Sequence, residues 1–488
     1  MSMQEQRILI ECTQTFFRGG NSGIQRVARN IANQALHLKH PNSQIVPVIW
    51  VGYGFCAVRN KVGTGVHYLL RLRDWINEKR GGSPGRLISL LIRILKLPLK
   101  LLRPLRPWRG IWDKMIRDIK ASLIGIGYGL GYLAVRFLFG PILKLRQGDT
   151  VLLIDSTWGA PDMLESLFQA QREHGVKVAP MLHDLFPLTM PETCEAITVE
   201  YYTRWFHRVV PRADFFVTNS KATGTSLERY LEQHPEIRAL PVLHHPFRLG
   251  AELDLLQRDR KDPEEIQPLW ETPGRAILAI GTIEPRKNHR FLLDVFDLLR
   301  ARGVDVSLIL IGRFGWKSQD VVDRIQSHPD LNTRLLHLFN ASDAVLAEAI
   351  ARADCLVCAS VAEGFGLPVV EGLMRGNEVF ASDIEVFREI GEGKCHFFRL
   401  DDPTDLADQL ERWFIEKDRM ISQRDRSPFS WPNWKASAED LVSVTGSLLQ
   451  KPGGGRVQES DNNPCDIRGV RAFLREDAVR ASPSGEEL

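Results

Sequence analysis

Two carboxylates, Glu363 and Glu371, stand eight positions apart in Val361-Ala-Glu-Gly-Phe-Gly-Leu-Pro-Val-Val-Glu371. Between them, Gly364, Gly366 and Pro368 would interrupt any helix interior. The pattern predicts a strand end, a tight glycine loop and a helix that opens near Pro368, since proline suits a first turn. Glu363 then lies on the loop and Glu371 on the first turns of the helix. At the carboxyl end of a parallel sheet, where open α/β folds bind ligands, such a pair suits hydrogen bonds to the hydroxyls of a sugar and a ribose. A second constellation is Gly281-Thr-Ile-Glu-Pro-Arg286-Lys287-Asn-His289. Arg286 offers a planar donor fork and Lys287 a compact charge, which together suit a diphosphate and would stabilise it as it leaves. The plainer reading is a solvated charge pair at a helix start. His183-Asp184 forms a third group. At a strand end the histidine can serve as a donor or a modest acid or base, or be purely structural. Gly19, Gly20 and Gly23 precede a helical pattern and read either as a phosphate cradle or as an ordinary strand-to-helix turn.

The elements that must position these residues alternate. Apolar runs at 7–11, 45–51, 150–155, 177–182 and 215–220 read as strands of a first half. Those at 276–280, 306–311, 335–339, 354–359 and 378–382 read as strands of a second. Helical patterns lie between them, among them 27–36, 221–231 with Ser220 as N-cap, 291–299 and 344–351. Apolar strands separated by helices point to α/β architecture, with parallel sheets covered on both faces. The charged, apolar-poor stretch 251–274 reads as a linker between domains at 1–250 and 275–450, and 451–488 as a polar, disordered tail.

At 488 residues, with 44% hydrophobic and 25% charged residues, the composition is globular, and a net charge of +3 does not argue for nucleic acid. The seven cysteines are scattered. Cys355 and Cys358 form the one close pair, with no second pair to complete a zinc set, so they read as core residues on opposite faces of a strand; no metal is expected. Free thiols and the lack of an apolar leader in the first residues point to a reducing, cytoplasmic compartment. One stretch breaks the pattern. Residues 71–146 hold 17 Lys or Arg against 4 Asp or Glu, and within them Arg86, Arg93, Lys96, Lys100 and Arg103 can share a helix face opposite Leu and Ile. A basic amphipathic insertion at about 70–146 is therefore expected, with residues 84–140 as a surface for an anionic membrane. The uncharged run 121–135 is short for a span. The alternative is a helical insertion packed on its own domain or on a partner.

Over 275–450 the chain resembles the retaining nucleotide-sugar glycosyltransferases of family four, through Gly281-Thr-Ile-Glu-Pro-Arg-Lys-Asn, Glu363-Gly-Phe-Gly-Leu-Pro-Val-Val-Glu371 and Ala381-Ser-Asp383. Ser22-Gly-Ile-Gln-Arg-Val27 and His183-Asp184 match more loosely. The resemblance implies a GT-B fold, two Rossmann-like domains facing a cleft. It implies that Glu363 binds the donor sugar and Glu371 the ribose, that Arg286 and Lys287 hold the diphosphate, that Gly20 and Gly23 approach it from the other domain, and that His183 meets the transferred sugar. Gly281, Thr282, Phe365, Gly366 and Leu367 complete the substrate-binding set. No cofactor is implied beyond a nucleotide-diphosphate sugar as co-substrate, and retention would follow from same-face attack with the leaving phosphate taking the acceptor's proton. The sequence departs from the family at Gly372-Leu-Met-Arg-Gly-Asn-Glu378, where Arg375 and Glu378 replace small residues or proline. The expected function is transfer of a hexose such as mannose to a glycan or lipid-linked acceptor, at the inner face of the cytoplasmic membrane. A nucleotide-sugar epimerase or a phosphorylase on the same fold is the enzymatic alternative. A non-catalytic membrane-associated partner that binds sugar nucleotides is the other.

Overall fold

The computed structural model describes residues 6–20, 22–41, 43–63, 138–239, 241–251, 271, 273–339, 341–419 and 429–450. Most of the basic stretch, nearly all of 251–274 and the tail 451–488 lie outside these residues.

The strands are β1 (Gln6–Glu11), β2 (Ser43–Trp50), β3 (Phe55–Ala57), β4 (Ile142–Leu143), β5 (Asp149–Leu153), β6 (Lys177–Leu182), β7 (Phe216–Thr218) and β8 (His244–Pro246) in the first half. The second half holds β9 (Arg275–Ile280), β10 (Val306–Ile311), β11 (Leu335–Leu338), β12 (Cys355–Cys358), β13 (Glu378–Ser382) and β14 (His396–Phe398). They form an eight-stranded sheet, β4-β3-β2-β1-β5-β6-β7-β8, and a six-stranded sheet, β11-β10-β9-β12-β13-β14. All pairings in the second sheet are parallel. In the first, only the pairings of β3 with β2 and with β4, at one edge, are antiparallel. The second order is the doubly wound Rossmann pattern, and its growth reverses between β9 and β12. Two Rossmann-like units are therefore present, as the alternating pattern predicts.

Residues alternate between the faces of each strand, as a period of two requires. In β1, Ile8 and Ile10 join one core and Leu9 the other. In β10, Leu308 and Leu310 face one core and Ile309 and Ile311 the opposite one. Cys355 and Cys358 are both buried and enter different cores, which agrees with their reading as strand residues on opposite faces. The helix Trp434–Gln450 follows the second unit in sequence but returns to the first. It packs on the helix Gly23–Ala35. Its Ser437 hydroxyl donates to the Arg248 carbonyl at 2.7 Å, and its Asp440 accepts from the Arg248 backbone N–H at 3.0 Å.

Candidate active site

The loops that follow β9 and β12 flank the reversal point of the second sheet, and they carry the two strongest motifs. After β9 the chain makes a single 3-10 turn, Pro285–Lys287, before the helix His289–Ala301. After β12 it turns through Gly364, and Gly366 at φ 108 caps the helix Leu367–Met374, with Pro368 in the first turn as expected. A Cβ on Gly366 would lie 2.6 Å from the Phe387 ring, so both its backbone angle and its neighbour call for glycine.

These loops bring Arg286, Lys287 and Glu363 together. Arg286 Nη1 donates to Glu363 Oε2 at 2.9 Å and to the Ala362 carbonyl at 2.8 Å, and Lys287 Nζ donates to Glu363 Oε1. The Ser360 hydroxyl adds a bond to Glu363 Oε1 at 2.8 Å. Burial works to raise the Glu363 pKa, but Lys287 and Arg286 overcome it and hold the group at about 2. Arg286 also donates to buried Glu284 at 2.6 Å and lies 4.9 Å above the Phe186 ring. Burial opposes the Arg286 charge, yet Glu363, Glu284 and Asp184 raise its pKa further. The same burial pushes Glu284 and Asp184 up from ordinary carboxylate values, partly offset by Arg286. Glu284, Asp184 and Ser360 thus belong to this charge network; in the sequence Glu284 stands within the Gly281–His289 motif and Asp184 beside His183, whereas Ser360 carried no signal.

The facing unit meets this loop directly. A Cβ on Gly364 would fall 2.0 Å from the His183 carbonyl oxygen. The Gly364 carbonyl accepts from the Ser220 hydroxyl at 2.8 Å, and Asn219 Nδ2 donates to the His183 carbonyl at 2.8 Å. Ser220 also caps its helix, Lys221–Gln233, as the sequence predicts. The His183 ring bonds through Nε2 to the Ile154 carbonyl at 2.8 Å rather than to Asp184. Burial lowers its pKa, so the ring is neutral near pH 7 and Nε2 carries the proton.

The glycine turn differs from a simple strand-to-helix step. A short helix, Thr13–Arg18, intervenes after β1, and the second helix starts at Gly23, earlier than the periodicity from residue 27 suggests. Ser22 forms a capping box with Gln25 there. A Cβ on Gly23 would meet nothing within 4 Å, whereas at Gly20 it would strike the Gln25 side chain. One turn into this helix, Arg26 donates to Glu371 Oε1 at 2.6 Å across the cleft. Glu371 is buried, 2% exposed, on the helix Leu367–Met374. No sequence signal links Arg26 to a residue 345 positions away.

Two members of the expected substrate-binding set point elsewhere. Phe365 and Leu367 are buried in a core, and the Phe365 ring lies 5.9 Å from Trp431. Apolar side chains beside a glycine turn gain more from that core than from a polar cleft, so these positions can offer a ligand only backbone. Gly281, beside Lys287, and Thr282 stand at the mouth of β9. The space enclosed by Lys287, Ser360, Glu363 and Gly366 is about 10 Å³, room for one water. A larger cavity of about 150 Å³ lies beside it, between Asp184, Phe186, Thr223, Ser226, Glu363 and Glu385. Among the described residues no cluster of three or more His, Cys, Asp or Glu could hold a metal, and no helix is long and apolar enough to cross a membrane.

Residues 261–426 match the family described as glycosyl transferases group 1. The chain is 30% identical over 307 residues to a serotype-specific mannosyltransferase, WbdA, of Escherichia coli, an alignment that covers 62% of this chain and 37% of that protein. It is 29% identical over 213 residues to O-antigen chain mannosyltransferase B of Escherichia coli, with 43% of this chain and 53% of that protein covered. The chain thus spans little more than a third to a half of the length of these relatives. Among solved structures, a sucrose-phosphate synthase from Thermosynechococcus elongatus superposes with a TM-score of 0.51 at 14% identity, covering 91% of this chain and 99% of that one. That likeness concerns the fold, the two-domain GT-B arrangement.

Proposed function

The chain is a member of the glycosyl transferases group 1 family through residues 261–426, and from that premise we propose that it transfers a hexose from a nucleotide-diphosphate sugar to a glycan or lipid-linked acceptor. Mannose is the favoured sugar on the names of the two relatives, and cell-surface polysaccharide synthesis the favoured setting. The observation that carries this reading is the ionised Glu363 carboxylate, clamped by Arg286 and Lys287 at the reversal point of the donor-side sheet and closed over by His183 and Ser220 from the facing unit.

The chemistry follows from exchanging partners. Sugar hydroxyls take over Glu363, which as a carboxylate accepts but cannot donate. Arg286 and Lys287 turn to the diphosphate, whose charge grows as the sugar–phosphate bond breaks, so their attraction is strongest in the transition state. Retention fits an acceptor oxygen that attacks from the leaving group's face while the departing phosphate takes its proton. His183, neutral and with Nε2 committed to the Ile154 carbonyl, positions the sugar rather than serving as a strong base. The chain needs no metal for these steps, because fixed cations supply the charge.

Incubation with a panel of nucleotide sugars and glycan or lipid-linked acceptors should yield a product that keeps the donor's anomeric configuration by NMR. Glu363→Gln and Lys287→Ala should each lower transfer by about a hundredfold or more, the scale of removing one charge-stabilising contact. Wild-type rates in both variants would rule the site out.

A further inference from the structure

Beside the clamp, one wall of the site is polar where a core residue would be expected. His289 opens the helix His289–Ala301, whose Phe291, Leu292 and Leu293 are core residues, and it is itself 4% exposed. Its Nδ1 is buried and has no hydrogen-bond partner among the described residues. Burial, then Lys287 and His337, hold the ring's pKa at about 3, so the imidazole is neutral. An apolar side chain would fill such a position without stranding a polar atom. Asn288, in the left-handed region at φ 54, joins the 3-10 turn to the helix, and Lys287 and His289 on either side of it line one small space. Ser360 and Glu363 line it too, and its volume of about 10 Å³ suits a single water.

The hydrogen-bonding capacity around this space matches that water. Lys287 Nζ has three N–H donors, and among the described residues it uses one, on Glu363. The Ser360 hydroxyl donates to Glu363 at 2.8 Å, which leaves its oxygen able to accept. A neutral His289 accepts at Nδ1 when its proton sits on Nε2. A water can then accept from Lys287 and donate to both Ser360 and His289, the three bonds that a buried water commonly makes. We propose that Lys287, Ser360 and His289 bind one structural water, and that through it His289 is a positioning residue for the Lys287 ammonium. The consequence for turnover rests on the proposed function, in which Glu363 turns to the sugar and Lys287 to the diphosphate. Lys287 then loses its carboxylate partner, and its flexible stem alone would leave the charge poorly placed. The water supplies a second anchor, tied to a helix. A charged imidazole could not serve, because it would repel the ammonium and could not accept.

A crystal structure of the full chain that resolves ordered water tests the site directly. Density is expected within about 3.2 Å of His289 Nδ1, Lys287 Nζ and the Ser360 hydroxyl. A dry space overturns the proposal. Transfer kinetics test the positioning role. His289→Met keeps the bulk and removes the acceptor, and should lower kcat by about tenfold or more, the scale of loosening a reacting group by a fraction of an ångström, with donor KM little changed. His289→Gln restores an acceptor and should recover most of that loss. In a Lys287→Ala background His289→Met should cost nothing further, because no ammonium remains to be placed. Equal losses in the Met and Gln variants, a further loss in the Lys287→Ala background, or wild-type kcat in His289→Met would make His289 a packing residue and sink the positioning role. If His289→Met does not fold, the density and the His289→Gln rate decide the case. Wild-type turnover in Lys287→Ala is a different failure: it removes the donor-site reading, and the water site then stands or falls with the density.

Discussion

Glu11, at the end of β1, has no exposed surface, and its Oε1 accepts from the Thr13 N–H at 2.7 Å. Burial, then repulsion from Asp155, pushes its pKa up to about 8, and burial raises Asp155 as well. Asp155 accepts from the Thr15 N–H at 2.6 Å and the Ser156 N–H at 2.8 Å. The two acids therefore anchor the start of the helix Thr13–Arg18, ahead of the glycine turn, and Glu11 keeps its proton to a higher pH than an ordinary carboxyl. The sign follows from proton counting. Between about pH 4.5 and 8 the folded Glu11 keeps a proton that the unfolded chain releases, so stability falls as pH rises through that window. The slope for one group is at most about 1.4 kcal/mol per pH unit. Glu11→Gln mimics the protonated form and should flatten this part of the profile in urea melts between pH 5 and 8. A variant that kept the wild-type slope would show that Glu11 is not the titrating group. Neither acid carries a motif, and their coupling becomes visible only when β1 and β5 lie side by side.

At the scale of elements, the sequence was most informative where an apolar strand runs directly into a loop of special composition. Five of the six strands of the second sheet fall where the apolar runs place them, whereas the three-residue β14 and the pairing of Arg286 and Lys287 with Glu363 had no such signal. Short edge strands such as β3 and β4, of three and two residues, have no periodicity to read. Phe365 belongs to the substrate-binding set that the resemblance implies, and only tertiary packing shows that its side chain turns to Trp431. Gly364 is the element-level contact most open to test. A methyl group there cannot coexist with the His183 carbonyl at 2.0 Å, so Gly364→Ala must hold the two loops apart. Gly364 itself lies outside the apolar clusters, so thermal unfolding should remain close to wild type. Turnover should drop by about a hundredfold, as expected when reacting groups are displaced by an ångström. Wild-type turnover in this variant would mean that the loops need not meet during the reaction.

For the whole molecule, the units are tied by contacts that differ in kind. The helix Trp434–Gln450 contributes buried Trp434, Leu441 and Leu448 to a core shared with Val27 and Ile31, an apolar and lasting attachment. At the cleft the ties are polar: Arg26 with Glu371, Glu389 accepting the Lys221 and Ala222 N–H groups at 2.9 and 3.1 Å, and Trp316 Nε1 donating to the Thr193 carbonyl at 2.7 Å. These ties are directional hydrogen bonds and ion pairs, unlike the apolar packing of the helix. This division was beyond the reach of the sequence, because a helical pattern at 434–450 does not say which unit it covers.

The antiparallel edge of the first sheet carries a further consequence. β3 and β4 lie side by side, Phe55 opposite Leu143 and Cys56 opposite Ile142, so the chain departs and returns at one rim, three strands from the loops after β1. A segment that leaves and re-enters between neighbouring edge strands can change in length without altering the order of the inner strands. We propose that the basic stretch meets an anionic membrane: replacing residues 64–137 with a short Gly-Ser hairpin should then leave nucleotide affinity intact and lower co-sedimentation with anionic liposomes, whereas equal recovery in the supernatant before and after the replacement would rule the membrane contact out. On the proposed function, a change at this edge would alter what the protein meets there and leave the sheet positions of the donor-site loops untouched.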